Sequence, residues 1–211
     1  MIQSNIEDVR KAVIEGRSPR ALEVMKVPKS LCRLRKIESA QSDEAMQALR
    51  AGRNVFLSGI PGSGKSHIAV TLMQEWLVGR IALEDGVVVC REGYPRFVVV
   101  AELLLEIQSA WSRSENVRGE STKKMLDRYT AVPMLVLDDL GAEQVSDWSR
   151  GIMVLLVDRC LREGKQIVVT SNLSLQRIAN EIDARIASRL SDGMVIKMAD
   201  VDWRRRKSVS V

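Results

Sequence analysis

The sequence has few of the residues that build metal centres and disulfide frameworks. It contains 1 histidine and 3 cysteines among 211 residues. Cys32, Cys90 and Cys160 lie far apart and form no Cys-x-x-Cys pair. This spacing argues against a zinc site and is typical of reduced thiols in a cytoplasm. Any metal chemistry is therefore expected to involve Mg²⁺.

Long apolar runs are also missing. No run approaches the roughly 18 to 20 residues that cross a bilayer, and the first residues, MIQSNIEDVRK, contain no apolar signal region. We therefore expect a cytoplasmic protein with no membrane segment and no export signal. The 211 residues, 45% of them hydrophobic, suit one large domain or a core with a small appendage.

The net charge is +5 and the sequence pI is about 9.3. This basic excess favours contact with nucleic acid. The alternative is a basic surface that only contacts solvent.

Glycine is concentrated in the stretch LSGIPGSGKSHIA, residues 57–69. Its spacing matches the G-x-x-x-x-G-K-[ST] loop, whose backbone N–H groups surround a polyphosphate. The loop and the first helical residues predict a nucleotide-binding set: Gly59, Ile60, Pro61, Gly62, Ser63, Gly64, Lys65, Ser66 and His67. In this set Lys65 would neutralise the outer phosphates and the Ser66 hydroxyl would bind Mg²⁺.

The flanks of this loop support the nucleotide-binding interpretation over a structural turn. The preceding residues NVFLS predict a buried strand, and HIAVTLMQEWLV has apolar residues at helical spacing. The N-terminus of that helix would add its partial positive charge to the phosphate site. His67 lies just inside the helix, where a packing or surface role is the alternative.

A second candidate element is PMLVLDDLGAE, residues 133–143. Four apolar residues followed by two carboxylates predict a buried parallel strand that ends at the ligand-binding edge of an α/β sheet. Asp138 would hold Mg²⁺ through water, and Asp139 would polarise the attacking water. The alternative is that both acids cap a helix at a turn.

The stretch QIVVTSN, residues 166–172, predicts another buried strand. Asn172 follows this strand, where its amide would position water against the terminal phosphate. Alternatively, Thr170, Ser171 and Asn172 cap the next helix.

Strands alternating with helices predict a parallel sheet with helices on both faces. The predicted helices cover residues 1–16, 39–52, 102–111, 125–132 and 148–165, and a hairpin turn is predicted at Asp85-Gly86. Residues 112–124 form a polar segment between two of these helices. We expect an N-terminal arm and linker at 1–35, which packs back on the rest or docks on a partner, followed by one domain at 36–211.

Five motifs occur in order: the phosphate loop, LVLDDLG at 135–141, VVTSN at 168–172, RIASRL at 185–190 and DWRRR at 202–206. Together they resemble the AAA+ ATPases of the DnaC/DnaI helicase-loader group and their IstB-like relatives. The resemblance implies a P-loop NTPase sheet of AAA+ type without a C-terminal lid domain. It also implies ATP and Mg²⁺ as ligands and a bacterial or phage-infected cell as the location.

Residue roles follow from the resemblance by position. Lys65 and Ser66 become the Walker A residues, Asp138 and Asp139 the Walker B pair, and Asn172 sensor 1. Arg189 becomes the arginine finger, with Arg185 as the alternative, and Arg204 becomes the sensor 2 arginine. Without the resemblance, Arg185 and Arg189 are equally well read as an exposed helix face, and Arg204 as part of a basic tail.

The resemblance implies an ATP-dependent loader that binds single-stranded DNA, forms homo-oligomers through ATP-bridged interfaces and delivers a replicative ring helicase. Asp139 stands where most AAA+ motors have glutamate, and its shorter side chain predicts slow hydrolysis. The segment 101–129 would contact DNA through Arg113, Arg118, Lys123 and Lys124, with Trp111 or Tyr129 stacking on bases or packing in the core. The alternatives are a transposition helper ATPase, a small-molecule kinase and an ATP-dependent adaptor without DNA binding.

Overall fold

The computed structural model describes residues 5–32, 39–85, 87–113, 118–142 and 146–203, with the backbone alone at 111–113 and 118–121. The described strands are β1 (Val55–Ser58), β2 (Ile81–Glu84), β3 (Val87–Cys90), β4 (Arg96–Val99), β5 (Met134–Asp138), β6 (Gln166–Ser171) and β7 (Met194–Lys197). The described helices are α1 (Ile6–Ile14), α2 (Pro19–Val24), α3 (Ala40–Arg50), α4 (Lys65–Val78), α5 (Val100–Arg113), α6 (Arg118–Thr130), α7 (Asp147–Arg162), α8 (Leu175–Glu181) and α9 (Ala184–Ser191).

Five of these strands form one parallel sheet in the order β4-β5-β6-β1-β7. Val55 of β1 pairs with Val168 of β6 on one side and with Met194 of β7 on the other. The carboxyl ends of β1, β5 and β6 therefore meet at one edge of the sheet, which is where such folds bind ligands.

Helices cover both faces of this sheet, so its central strands are buried throughout. Along β5, Met134 and Val136 pack with α3 and α4, whereas Leu135 and Leu137 pack with α5 to α9 on the opposite face. Burial of each such side chain contributes about 1.5–3 kcal/mol to folding. The predicted parallel sheet flanked by helices is confirmed.

The hairpin predicted around Asp85 is present as β2 and β3, which pair antiparallel outside the main sheet. Asp85 has φ 49°, the left-handed conformation that a tight hairpin turn requires. Ile81 is buried at the start of the hairpin, whereas Val87 is 61% exposed.

Helix α6 includes most of the short helix predicted at 125–132 and extends into the polar segment before it. It begins at Arg118 and ends at Thr130. In the part of α6 whose side chains are described, Lys123 and Lys124 are exposed whereas Leu126 and Tyr129 are buried. The sequence at the start of this helix contains few apolar residues, so it has no amphipathic pattern that predicts a helix.

The N-terminal arm packs back on the rest of the chain. Val13, Leu22 and Met25 are buried in the same apolar cluster as α3 and α4. The Phe97 backbone N–H donates to the Met25 carbonyl at 2.8 Å, which attaches the arm to the edge strand β4. The boundary between an N-terminal arm at 1–35 and a domain at 36–211 remains a prediction.

Among the described residues, no helix combines the length and apolar character needed to cross a membrane.

Candidate nucleotide site

The glycine-rich loop connects the carboxyl end of β1 to the N-terminus of α4. Gly62 and Gly64 have φ angles of 81° and 93°, in the region that favours glycine. A Cβ at Gly62 would collide with the Asp202 carboxylate, which would have to move aside. The Trp203 backbone N–H also donates to the Gly62 carbonyl at 3.0 Å. The chain after β7 therefore lies directly against the loop.

Lys65 is buried inside this loop, with 5% of its surface exposed. Its Nζ donates to the carbonyls of Gly59 at 2.9 Å and Ile60 at 3.0 Å, and to Asn172 Oδ1 at 2.8 Å. A buried ammonium group loses hydration, and these acceptors replace water around it. This side chain joins the loop to the end of β6, as does the hydrogen bond from the Gly59 backbone N–H to the Ser171 carbonyl at 3.2 Å.

Asp138 lies at the carboxyl end of β5 and is 5% exposed. Burial raises the pKa of its carboxyl group; hydrogen bonds from Thr170 and Ser66 and the positive charge of Lys65 act in the opposite direction, and Asp139 adds to the increase. The Ser66 hydroxyl is close enough to the Asp138 carboxylate to lower its pKa, so the two oxygen donors lie together beside the phosphate loop. These hard oxygen donors fit Mg²⁺ bound jointly with a nucleotide's phosphates.

No cluster of three or more histidine, cysteine, aspartate or glutamate side chains suited to a metal occurs within the described ranges. A divalent ion at this site would therefore need ligands from the nucleotide and from water in addition to Ser66 and Asp138.

Thr170 contacts both candidate carboxylate residues, and the sequence interpretation assigned it only a capping alternative. Its Oγ1 donates to Asp138 Oδ1 at 2.6 Å and accepts from the Asp139 backbone N–H at 3.0 Å. The sequence offers only a hydroxyl residue two positions before Asn172 as a sign of this role. Its partner Asp138 is 32 residues away in the chain, so the sequence does not show that the two meet.

The hydrogen bonds of Thr170, Ser171 and Asn172 do not support the alternative that these residues cap the following helix. Helix α8 is capped by Ser174, whose side chain accepts from the Arg177 backbone N–H. Ser171 Oγ instead donates to the Leu140 carbonyl, and Asn172 binds Lys65. Asp138 is the last residue of β5 and Asp139 follows it, so neither residue begins a helix.

The two candidate finger residues lie on α9. Arg185 forms two hydrogen bonds to Asp183, the residue that caps α9, and its side chain is 67% exposed. Arg189 pairs with Asp158 of α7 and is 41% exposed. The start of α9 lies near the ligand edge of the sheet, since Ile182 packs against Gly141 just after β5.

The structure describes most of the other residues that were predicted to bind the nucleotide. Ile60 and Pro61 are exposed on the loop, and Ser63 is buried within it. His67 lies partly buried in the first turn of α4. Arg204 lies outside the described residues.

The predicted DNA-contacting side chains fall partly outside the description. Those of Arg113, Arg118 and Trp111 are not described. Lys123 and Lys124 are exposed on α6. Tyr129 is 4% exposed and its hydroxyl donates to Glu106, so it packs in the core and does not offer a stacking surface.

The family comparison agrees with this loop, strand and helix arrangement. The IstB-like ATP binding protein family matches residues 34–206. The chain belongs to this family.

Relatives of this IstB-like protein include replication proteins at low identity. The replicative helicase loader DnaC of Buchnera aphidicola subsp. Baizongia pistaciae is 24% identical over 159 residues, covering 75% of this chain and 58% of that protein. A crystal structure of DnaI matches with TM-score 0.61 and 22% identity, covering 83% of this chain and 96% of that one. A crystal structure of the DnaC helicase loader matches with TM-score 0.58 and 20% identity, covering 86% and 100%.

These structural matches confirm the AAA+ fold. The chain spans about half the length of the curated relatives that it matches.

Proposed function

We propose that this IstB-like protein is an ATP-dependent loader of a replicative ring helicase that binds ATP, Mg²⁺ and single-stranded DNA. The observation that carries the nucleotide part is the convergence of Lys65, Asp138 and Asn172 at one edge of the sheet. The names of the DnaC relatives support the loading part.

In this proposal the backbone N–H groups of residues 59–66 bind the phosphates of ATP, with help from the N-terminus of α4. Lys65 exchanges its carbonyl acceptors for phosphate oxygens, which are stronger charge-assisted acceptors. Ser66 and Asp138 would hold Mg²⁺, which supplies positive charge next to the transferred phosphoryl group.

Hydrolysis requires a water molecule aligned with the terminal phosphate. Asp139 would polarise this water and Asn172 would orient it, while Arg189 of a neighbouring subunit would stabilise the developing charge. The short Asp139 side chain predicts slow turnover, which suits a switch that holds a partner until ATP is consumed.

A trans role for Arg189 is compatible with its position on the outside of the subunit. Arg189 and Arg185 each bind a carboxylate of their own chain, Asp158 and Asp183 respectively. A finger from either position would have to exchange that partner for a neighbour's phosphate.

DNA binding is proposed through the exposed face of α6. Lys123 and Lys124 are adjacent and exposed there, so they can contact phosphates. Because Tyr129 is buried, base stacking by that residue is not part of the proposal.

A second candidate is the transposition helper ATPase, which the family match favours. It would use the same nucleotide site, bind duplex DNA and recruit a transposase. Single-strand preference and a nucleotide-dependent helicase complex distinguish the loader from this alternative. A kinase or an adaptor without DNA binding lacks comparable support.

The test is a pull-down of a replicative helicase in ATP and in ADP, combined with titrations of single-stranded and duplex DNA at several salt concentrations. A loader is expected to capture the helicase only with ATP and to prefer single strands, with affinity that falls steeply with salt. Duplex preference without helicase capture would favour the transposition role. Helicase capture without DNA binding would favour an adaptor.

A further inference from the structure

The Thr170 hydroxyl bridges two acidic residues from a completely buried position. Thr170 is 0% exposed and lies on β6, next to β5, which ends at Asp138. Leu137 pairs with Val169 in the sheet, so the following residues on the two strands face each other. The donor and acceptor distances of 2.6 and 3.0 Å are those of well-formed hydrogen bonds.

The two bonds act on different parts of the acidic pair. The donated bond holds the Asp138 carboxylate itself, whereas the accepted bond holds the backbone of Asp139. Asp139 has φ 58°, a left-handed conformation that is uncommon outside glycine, asparagine and aspartate, and its backbone N–H is fixed there by Thr170. The Leu140 backbone N–H adds a third bond, to the Thr170 carbonyl at 2.9 Å.

A hydroxyl is the smallest side-chain group that both donates and accepts. Valine has nearly the same shape as threonine but would leave Asp138 without this donor and the Asp139 N–H without this acceptor. Serine would keep both bonds and lose only a methyl group. The chemistry therefore distinguishes the two substitutions.

We infer that Thr170 is a positioning residue that orients Asp138 for Mg²⁺ and holds Asp139 in its left-handed turn. This role rests on the proposed function, since it assumes that a nucleotide with its metal binds beside Asp138. Groups that orient metal ligands commonly change metal affinity or activity by 10- to 100-fold when removed.

Thr170 also connects the two strands that carry the site. Asn172 follows it by two residues and binds Lys65 of the phosphate loop. A displacement at Thr170 would therefore reach both the acidic pair and the residue that holds the loop lysine.

The experiment compares wild type with Thr170→Val, Thr170→Ser and Ser171→Ala. Ser171 is a matched control, because it is also 0% exposed but its Oγ binds Leu140 and Leu173 backbone groups and neither carboxylate. The measurements are affinity for a fluorescent ATP analogue with and without Mg²⁺, Mn²⁺ binding in the presence of ADP by electron paramagnetic resonance, and thermal unfolding.

Without metal, Thr170→Val is expected to bind the analogue with wild-type affinity. The increase in affinity that Mg²⁺ causes should be about tenfold smaller than in wild type, and Mn²⁺ should bind more weakly. Thr170→Ser should show most of the wild-type increase in affinity with Mg²⁺. Ser171→Ala should show the full increase even if its Tm falls. If Thr170→Val does not fold, Thr170→Ala is measured in its place.

A folded Thr170→Val or Thr170→Ala protein with wild-type metal dependence would overturn the inference and leave the proposed function standing. Loss of metal dependence in Ser171→Ala to the same extent would also overturn it, because any buried hydroxyl would then suffice. Failure of wild type itself to bind the analogue would overturn the proposed function, and the inference with it.

Discussion

Lys65 Nζ lies 2.8 Å from Asn172 Oδ1, so the lysine of the phosphate loop is held by the residue that follows the neighbouring strand β6. Its Nζ also donates to two backbone carbonyls of the loop. These acceptors take the place of water around a buried ammonium group. A single amide thereby links the loop that would bind ATP to the position that would sense hydrolysis.

Replacing Lys65 by alanine should weaken nucleotide binding by about 100-fold, since several charge-assisted contacts to phosphate are lost together. The measurement is a titration with a fluorescent ATP analogue. Lys124→Ala, which removes an exposed lysine on α6, is the control and should bind normally. Undiminished affinity of Lys65→Ala would contradict the phosphate-binding role of the loop.

Replacing Asn172 by alanine should reduce hydrolysis by about 100-fold and affect nucleotide affinity much less, because Lys65 retains its two loop carbonyls. Steady-state phosphate release and equilibrium binding separate the two effects. Asn180→Ala, on the exposed side of α8, is the control. An equal loss of binding and hydrolysis would mean that Asn172 acts mainly by holding the loop.

Replacing Gly62 by alanine should strain the phosphate loop, because Gly62 has φ 81° and the new Cβ would have to push the Asp202 carboxylate aside. Nucleotide affinity should fall by about tenfold, since the strain lies in the loop that would bind the phosphates, and the added Asp202→Ala change should relieve the contact but not the backbone strain. Gly52→Ala is a matched control, since Gly52 has φ 74° but no atom within 4 Å of its Cβ position. That control carries only the backbone strain of about 1–2 kcal/mol and should keep full affinity.

Arg189→Ala should lower ATP hydrolysis by about a thousandfold if Arg189 acts on a neighbouring subunit's ATP. Mixing this variant with Lys65→Ala should then restore part of the activity, because an intact finger meets an intact nucleotide site at some interfaces. The same mixing with Arg185→Ala decides between the two arginines. No recovery in either mixture would argue against a trans finger on α9.

Alkaline pH should destabilise the fold through Cys160. Burial raises the pKa of this thiol to about 12, whereas an unfolded thiol titrates near 8.5. The stability contribution is therefore complete below about pH 8.5 and is lost as the pH rises towards 12. Between pH 8 and 10 the free energy of unfolding should fall by about 1–2 kcal/mol more in wild type than in Cys160→Ala.

Urea denaturation at both pH values measures this difference. Cys32→Ala removes a thiol that is only partly buried and should keep the wild-type decline. An identical decline in Cys160→Ala would show that other groups account for the pH dependence.

The start of α6 shows one limit of prediction from the sequence. Leu126 and Tyr129, which are buried in the core, lie inside the helix predicted at 125–132, whereas residues 118–124 contain no large apolar residue. A local pattern without apolar residues does not show that the helix begins there. The central strands and α4, by contrast, are apolar enough to be recognised from their own residues.

The phosphate loop, the sheet with its flanking helices and the two acidic residues after β5 followed from the sequence alone, because each depends on residues that are neighbours in the chain. Only the tertiary structure showed Thr170 between the acids, Asp202 against Gly62 and Arg189 on Asp158. These contacts join residues separated by about 30 positions or more, and strand order and register determine which of them meet. The role of a hydroxyl or carboxylate depends on the group that it contacts, and the packing of the sheet determines which group that is.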